Sequence, residues 1–226
     1  MLARNRFRQL CADLLFPEHN ACHLCDRFSD PAGILCSRCA ENLKAMQYQE
    51  GRIASPELHA PLKACLSAYP HRNEARELVH LLKYRSDCAA ADLLGQGMAA
   101  ALAASVSPAE FDAIVPVPLH LSRLETRGYN QALLLAQAVC NHTGIRLMED
   151  ALIRVLPTDT QLHRSQAQRM QAMRHAFAAN NPGAVRGLRL LLADDVLTTG
   201  ATAVSCANAL LAAGASSVSL LTACRA

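Results

Sequence analysis

The sequence predicts an α/β fold, a mostly parallel sheet preceded by a small module built on four cysteines. Three observations carry this expectation. Two Cys-x-x-Cys pairs stand close together in "CHLCDRFSDPAGILCSRC" (22–39), and strand, loop and helix patterns alternate from about Pro108 onward. In addition, "LLLADDVLTTGATA" (190–203) sets two acids after an apolar run and three threonines around a glycine. At 226 residues the chain can bury one substantial core and a small module besides. Residues 1–55 are assigned to an N-terminal helix with the cysteine module, and residues 56–226 to the α/β domain.

Composition narrows the class only mildly. A hydrophobic fraction of 51% with 18% charged residues describes an ordinary globular chain. The net charge of +3 does not by itself announce a nucleic-acid binder. Nineteen of the 22 basic residues are arginine, which suits oriented anion contacts, although coding bias produces the same preference. The N-terminal stretch carries arginines, but Asp13 and Pro17 interrupt its apolar run, so neither a signal peptide nor a transmembrane segment is expected. The expected location is cytoplasmic, where thiols stay reduced and the ten cysteines are not expected to form disulfides.

The elements follow in order. Phe7, Leu10 and Leu14 recur at helical spacing, predicting an amphipathic helix over 2–15. Cys22, Cys25, Cys36 and Cys39 come next. A two-residue gap lets both thiolates of a pair face one metal, and Pro31 and Gly33 turn the second pair back on the first. Tetrahedral Zn²⁺ with four sulfurs satisfies that geometry; buried or redox cysteines are the competing reading. Four thiolates leave no open coordination position, so the expected role of the metal is structural.

"NEARELVHLLKY" (73–84) places Ala75, Leu78, Leu81 and Leu82 on one side of a helix, and alanine-rich 89–104 reads as another. "DAIVPVPL" (112–119) reads as a strand and "QALLLAQAVCN" (131–141) as a helix closing near Gly144. "LRLLLA" (188–193) is a continuous apolar run, as a strand covered on both faces requires. A helix over 201–213 stops at Gly214, and "SVSLLTA" (217–223) is the last strand. Such alternation means parallel strands with helices on both faces.

Ligands in such sheets bind beyond the carboxyl ends of strands. Asp194 and Asp195 stand there, able to accept hydrogen bonds from vicinal sugar hydroxyls. Thr198, Thr199, Gly200, Ala201 and Thr202 lead into a helix whose free N–H groups suit a phosphate. Acids for a ribose beside a cradle for its 5′-phosphate describe a ribose-phosphate site. A solvated acid pair with a threonine cap explains one threonine but not the ordered set.

"LLLADDVLTTGAT" resembles the phosphoribosyl diphosphate (PRPP) loop of type I phosphoribosyltransferases. With the cysteine module, "LKYRSD" (82–87), "VPVPLHLSRLETRGYNQ" (115–131) and "TQLHRSQAQRMQAMRHAF" (160–177), the chain resembles the ComF family over nearly its whole length. Those proteins are phosphoribosyltransferase-like, carry an N-terminal zinc ribbon and include a competence protein of transformable bacteria. Ala193 and Ser86 depart from the family's usual residues without removing a ligand group.

The resemblance implies a sheet of the type I phosphoribosyltransferase kind and three loops around one pocket. Arg123, Arg127, Gly128, Tyr129 and Asn130 correspond to its pyrophosphate loop, and two arginines flanking a turn suit a diphosphate. The same arginines could instead flank Glu125 on a surface. Residues 157–177, with Arg164, Arg169 and Arg174, correspond to its mobile hood or form a solvated helix face. Lys83, Tyr84 and Arg85 gain interest from the resemblance alone; a surface role for them is equally open.

The expected function is binding of PRPP or a related nucleotide, with service in DNA uptake during natural transformation through single-stranded DNA. DNA-uptake machinery such as a helicase is the expected partner, and no membrane insertion is expected. The alternative is an active phosphoribosyltransferase that displaces pyrophosphate, with Mg²⁺ bridging the diphosphate and an unidentified nitrogen acceptor. No histidine can be assigned as its general base, so its catalytic residues are unknown. A PRPP-sensing regulator is the third reading, weakened because no helix-turn-helix reader is visible. With aromatics at 4% and no Trp, a base-stacking platform would have to use Tyr48, Tyr69, Tyr84 or Phe177.

Overall fold

Five parallel strands build the sheet in the order β1-β7-β6-β2-β3. The computed structural model describes residues 21–27, 29, 34–49, 61–85, 87–155 and 176–226. The chain divides into two compact units, 1–46 and 47–226. The smaller unit holds Cys22, Cys25, Cys36 and Cys39 and helix α1 (Ser37–Met46). The amphipathic helix expected over 2–15 lies outside the described residues.

In the larger unit, β1 (Cys65–Pro70) is followed by α2 (Asn73–Tyr84) and α3 (Cys88–Ser105). Next come β2 (Ala113–Pro116), α4 (Leu121–Arg127), α5 (Gln131–Thr143) and β3 (Arg146–Leu147). A separate antiparallel pair, β4 (Leu152–Arg154) and β5 (Phe177–Ala179), precedes the helical turn α6 (Pro182–Val185). The chain closes with β6 (Arg189–Leu197), α7 (Ala201–Ala212) and β7 (Ser217–Arg225).

Side chains alternate across the sheet, so each central strand feeds two apolar layers. Leu190, Leu192, Val218 and Leu220 meet Cys206, Ala207 and Leu210 of α7, with Phe177 of β5 in the same cluster. On the other side α3 and α5 cover β1, β2, β6 and β7. This two-sided burial explains why β6 reads as an unbroken apolar run. Helix ends obey local chemistry. Asp87 accepts from Ala89 N and Ala90 N at 3.0 Å each, and Asn130 caps α5 through Ala132 N at 3.0 Å. Gly144 and Gly214, at φ 74° and 96°, supply the left-handed residues that end α5 and follow α7.

Helix α3 is long and apolar enough to cross a membrane, but half of it is buried in the protein, where it packs on β1, β7 and α5. Its crossing with α5 depends on a missing side chain. A Cβ on Gly95 would stand 2.3 Å from Ala138 Cβ and 3.3 Å from its Cα, so the helices would have to separate. Gly95→Ala should therefore destabilise the domain by about 1–3 kcal/mol in chemical denaturation. Helix propensity alone would give a gain of about 1 kcal/mol. Unchanged or raised stability would show that the crossing can open freely.

Candidate functional site

The acids lie inside a strand rather than after it. The apolar run suggests an end at Ala193, yet β6 continues to Leu197 because β7 keeps pairing with it as far as Leu197↔Arg225. Partner β2 stops earlier: its pairing with β6 ends at Pro116↔Ala193, and its last hydrogen bond runs from Val117 N to Ala193 O at 3.0 Å. Asp194 and Asp195 thus occupy the first positions of β6 that β2 no longer covers, at the carboxyl ends of the strands.

Their surroundings differ. Asp195 is 6% exposed, and its Oδ2 lies 2.9 Å from Lys83 Nζ in the last turn of α2. That contact is an ion pair outside hydrogen-bonding alignment. Asp195 Oδ1 accepts from Val196 N at 2.6 Å, and Asp194 Oδ1 accepts from Asp195 N at 2.9 Å. Asp194 is half-buried. Burial, then the charge of Asp195, pushes its carboxyl up to about 8. Lys83 pairs with one acid, and the other, Asp194, keeps a proton at neutral pH.

Both acids open onto a cavity of about 700 Å³. Lys83, Arg123, Arg127 and Arg154 also reach it, so four cationic side chains and two carboxylates line one cavity. Arg123 and Arg127 come from α4, a helix where the sequence suggests a loop. His120 begins it, its Nδ1 accepting from Ser122 N at 3.2 Å, and Gly128 ends it at φ 79°. Arg127 donates to Gln131 Oε1 at 2.5 Å and lies 5.8 Å from the Tyr84 ring centre. Tyr129 donates its hydroxyl to Leu82 O, tying the turn after α4 to the end of α2. Asn130 Nδ2 donates to Val117 O at 3.1 Å, fixing the start of α5 against the end of β2.

A smaller cavity of about 40 Å³ adjoins it, bordered by Thr198, Thr199, Gly200, Ala201 and Thr202. Asp194, Val196 and Thr202 line both cavities. Gly200 sits at φ 76° directly before α7, whose first turn has no side-chain cap. Thr199 Oγ1 accepts from Ala201 N at only 3.5 Å, so this helix N-terminus keeps capacity for an anion.

In the smaller unit, the Sγ atoms of Cys22, Cys25, Cys36 and Cys39 all lie within 4.8 Å of one another. Cys25 Sγ stands 3.7 Å from Cys36 Sγ and 3.6 Å from Cys39 Sγ. A tetrahedral metal with bonds of about 2.3 Å needs sulfurs about 3.8 Å apart, so the cluster fits an ion such as zinc. Asp26 N donates to Cys22 O at 3.0 Å across the first knuckle, and the second pair stands at the start of α1. Burial opposes ionisation of Cys22, but N–H groups of Cys36, Leu24 and Cys25 outweigh it and bring the thiol to about 6.

The larger cavity therefore gathers Lys83, Tyr84, Arg123, Arg127, Tyr129 and both acids, all foreseen in the sequence. Gly128 and Asn130 position the turn from outside its lining, and Arg85 is exposed away from it. Arg164, Arg169 and Arg174 lie outside the described residues; the described ends of that segment meet where Val155 N donates to Ala176 O at 2.8 Å. Arg154 and Gln131 were not foreseen. Arg154 ends a three-residue strand with no apolar pattern, and its guanidinium lies 5.4 Å from the Phe177 ring centre.

No family model matches the chain. It is 34% identical to the DNA utilization protein YhgH of Salmonella typhi over 209 residues, 89% of this chain and 84% of that protein. The chain belongs to the ComF family. Competence protein ComFC of Bacillus subtilis is 29% identical to this ComF-family chain, over 92% of its length and 85% of the relative's. Among solved structures, the B. subtilis glutamine PRPP amidotransferase complexed with ADP and GMP aligns at 26% identity and TM-score 0.41. That alignment covers 59% of this chain and 26% of the amidotransferase, so the fold assignment rests on the observed sheet order instead.

Proposed function

We propose that the larger unit binds PRPP or a related nucleotide and that the protein serves DNA uptake by handling single-stranded DNA. The observation that carries the reading is the meeting, at one strand end, of two carboxylates, an uncapped helix N-terminus and four cations. In this reading the ribose hydroxyls lie on Asp194 and Asp195 and the 5′-phosphate on residues 198–202. Arg123, Arg127 and Lys83 face the diphosphate, whose oxygens Mg²⁺ would neutralise when it is brought in with the ligand. The smaller unit holds structural Zn²⁺ on its four thiolates. A role in DNA uptake is supported by relatives named for DNA utilization and competence, and a helicase of that machinery is the expected partner. In this reading the protein acts in the cytoplasm, where its thiols stay reduced.

Sugar hydroxyls donate hydrogen bonds, so binding favours the ionised form of Asp194. The free protein holds that carboxyl protonated below about pH 8, and each ligand bound there must displace the proton. PRPP affinity measured by calorimetry from pH 6 to 9 should therefore rise by up to about tenfold per unit until near pH 8 and then level off. Asp194→Asn removes the titrating group, and its affinity profile should be flatter by that amount. An identical profile in both proteins sinks this placement of the sugar. The cavity is larger than a diphosphate needs, which favours room for a nitrogen acceptor as a second reading. Acceptor-stimulated release of pyrophosphate would establish turnover, and its absence would leave binding as the role.

A further inference from the structure

We infer that Tyr84 is the stacking contact for a nucleobase at the rim of the larger cavity, which deepens the nucleotide reading above and rests on it. Among the described Tyr and Phe residues the others are buried or half-buried. Tyr69 and Phe177 are 4% and 5% exposed. Tyr48 accepts from Arg225 Nε at 3.0 Å, with the guanidinium 4.2 Å from its ring centre. Tyr129 is half-buried, its hydroxyl donated to Leu82 O, and Phe111 is half-buried. Tyr84 is 70% exposed and lines the cavity.

The position fits a base in particular. Lys83, the preceding residue, pairs with Asp195, and Tyr84 lines the same cavity as the carboxylates assigned to the sugar. A base joined to that sugar would lie only a few bonds away. Arg127, 5.8 Å from the ring centre, and the exposed His80, its ring centre 4.7 Å away, add a guanidinium and a second flat ring. Aromatic faces with nearby arginine hold any base through its π-system, without reading its edge. The base could come from a free nucleotide or from a single strand, and the same ring would serve either.

The chain contains no Trp, so Tyr84→Trp installs a single fluorescent reporter at the site. Nucleoside monophosphates or a short oligodeoxynucleotide should quench its emission, whereas PRPP and inorganic pyrophosphate, which carry no base, should not. Quenching by the monophosphates identifies a free nucleotide as one source, and quenching by the oligonucleotide alone assigns the contact to a strand. Tyr84→Ala should weaken binding of the quenching ligand about tenfold. Equal quenching by an abasic oligonucleotide, no quenching by any base, or an unchanged affinity in Tyr84→Ala would overturn the assignment. Failure of the unsubstituted protein to bind PRPP would instead strike the proposed function, because the quenching is read without PRPP.

Discussion

Replacing both acids, as Asp194→Asn with Asp195→Asn, is expected to lower PRPP affinity by about 100-fold or more while the domain stays folded. Hydrogen bonds to charged groups are worth about 1.5–3 kcal/mol each, and losing two converts to roughly 10²–10⁴ in affinity. The fold should survive because neither acid is part of the apolar core. Lys83, released from Asp195, is a quarter exposed and can turn its ammonium to water. Asp194 even opposes folding once ionised: its carboxyl is raised from 3.8 to about 8. The folded protein then holds a proton that the unfolded chain has given up. That contribution is fully present below about pH 4 and is lost as pH rises through about 8. The double variant should lack this decline and keep its thermal midpoint within about 5 °C at neutral pH. Calorimetry with PRPP and a melting curve read both outcomes. Undiminished affinity would remove the sugar from this strand end, and a collapsed midpoint would make the acids structural.

Legibility in the sequence followed how local each signal is. The central strands and helices α2, α3, α5 and α7 could be read because their apolar patterns are long and their ends carry Asp87, Asn130, Gly144 and Gly214. Strand β1 could not. Its "CLSAYP" mixes Ser and Pro with small residues, and it is buried because β7, 150 residues later in sequence, pairs with it. The true end of β6 was hidden for the same reason, since pairing with β7 carries two carboxylates into the sheet. Helix α4 left a weak trace in Gly128 after Arg127, but Leu121 and Leu124 are exposed, so no apolar stripe marks it. In the site, the acids and the turn at Gly200 were visible because each violates a local preference. Arg154 violates none, and only the packing of β4 against β5 brings it to the cavity. The separate roles of the acids also needed coordinates: the strand's period of two sends neighbours to opposite faces, but the sequence does not say that Lys83 waits on one of them.

Cys36→Ser is expected to have the largest effect on stability. Cys36 is buried at the start of α1, its Sγ 3.7 Å from that of Cys25. A hydroxyl there replaces a thiolate ligand with a weak one. Besides the cysteines, the described residues of this unit bury chiefly Leu35 and Leu43, so in the proposed reading the metal supplies most of the folding free energy of this part. Structural zinc supplies roughly 10–16 kcal/mol in small four-ligand modules, far more than two buried leucines can. Elemental analysis should find about one zinc per chain in the unsubstituted protein and well under half that in the variant. Limited proteolysis should then cut within residues 21–46, while the core that runs from Leu62 to Leu220 keeps its melting transition. Chelation of the unsubstituted protein should produce the same cleavage, which separates loss of metal from any local effect of the serine. Full zinc occupancy in Cys36→Ser, or a protease-resistant unit after chelation, would show that the four sulfurs are not what holds it together.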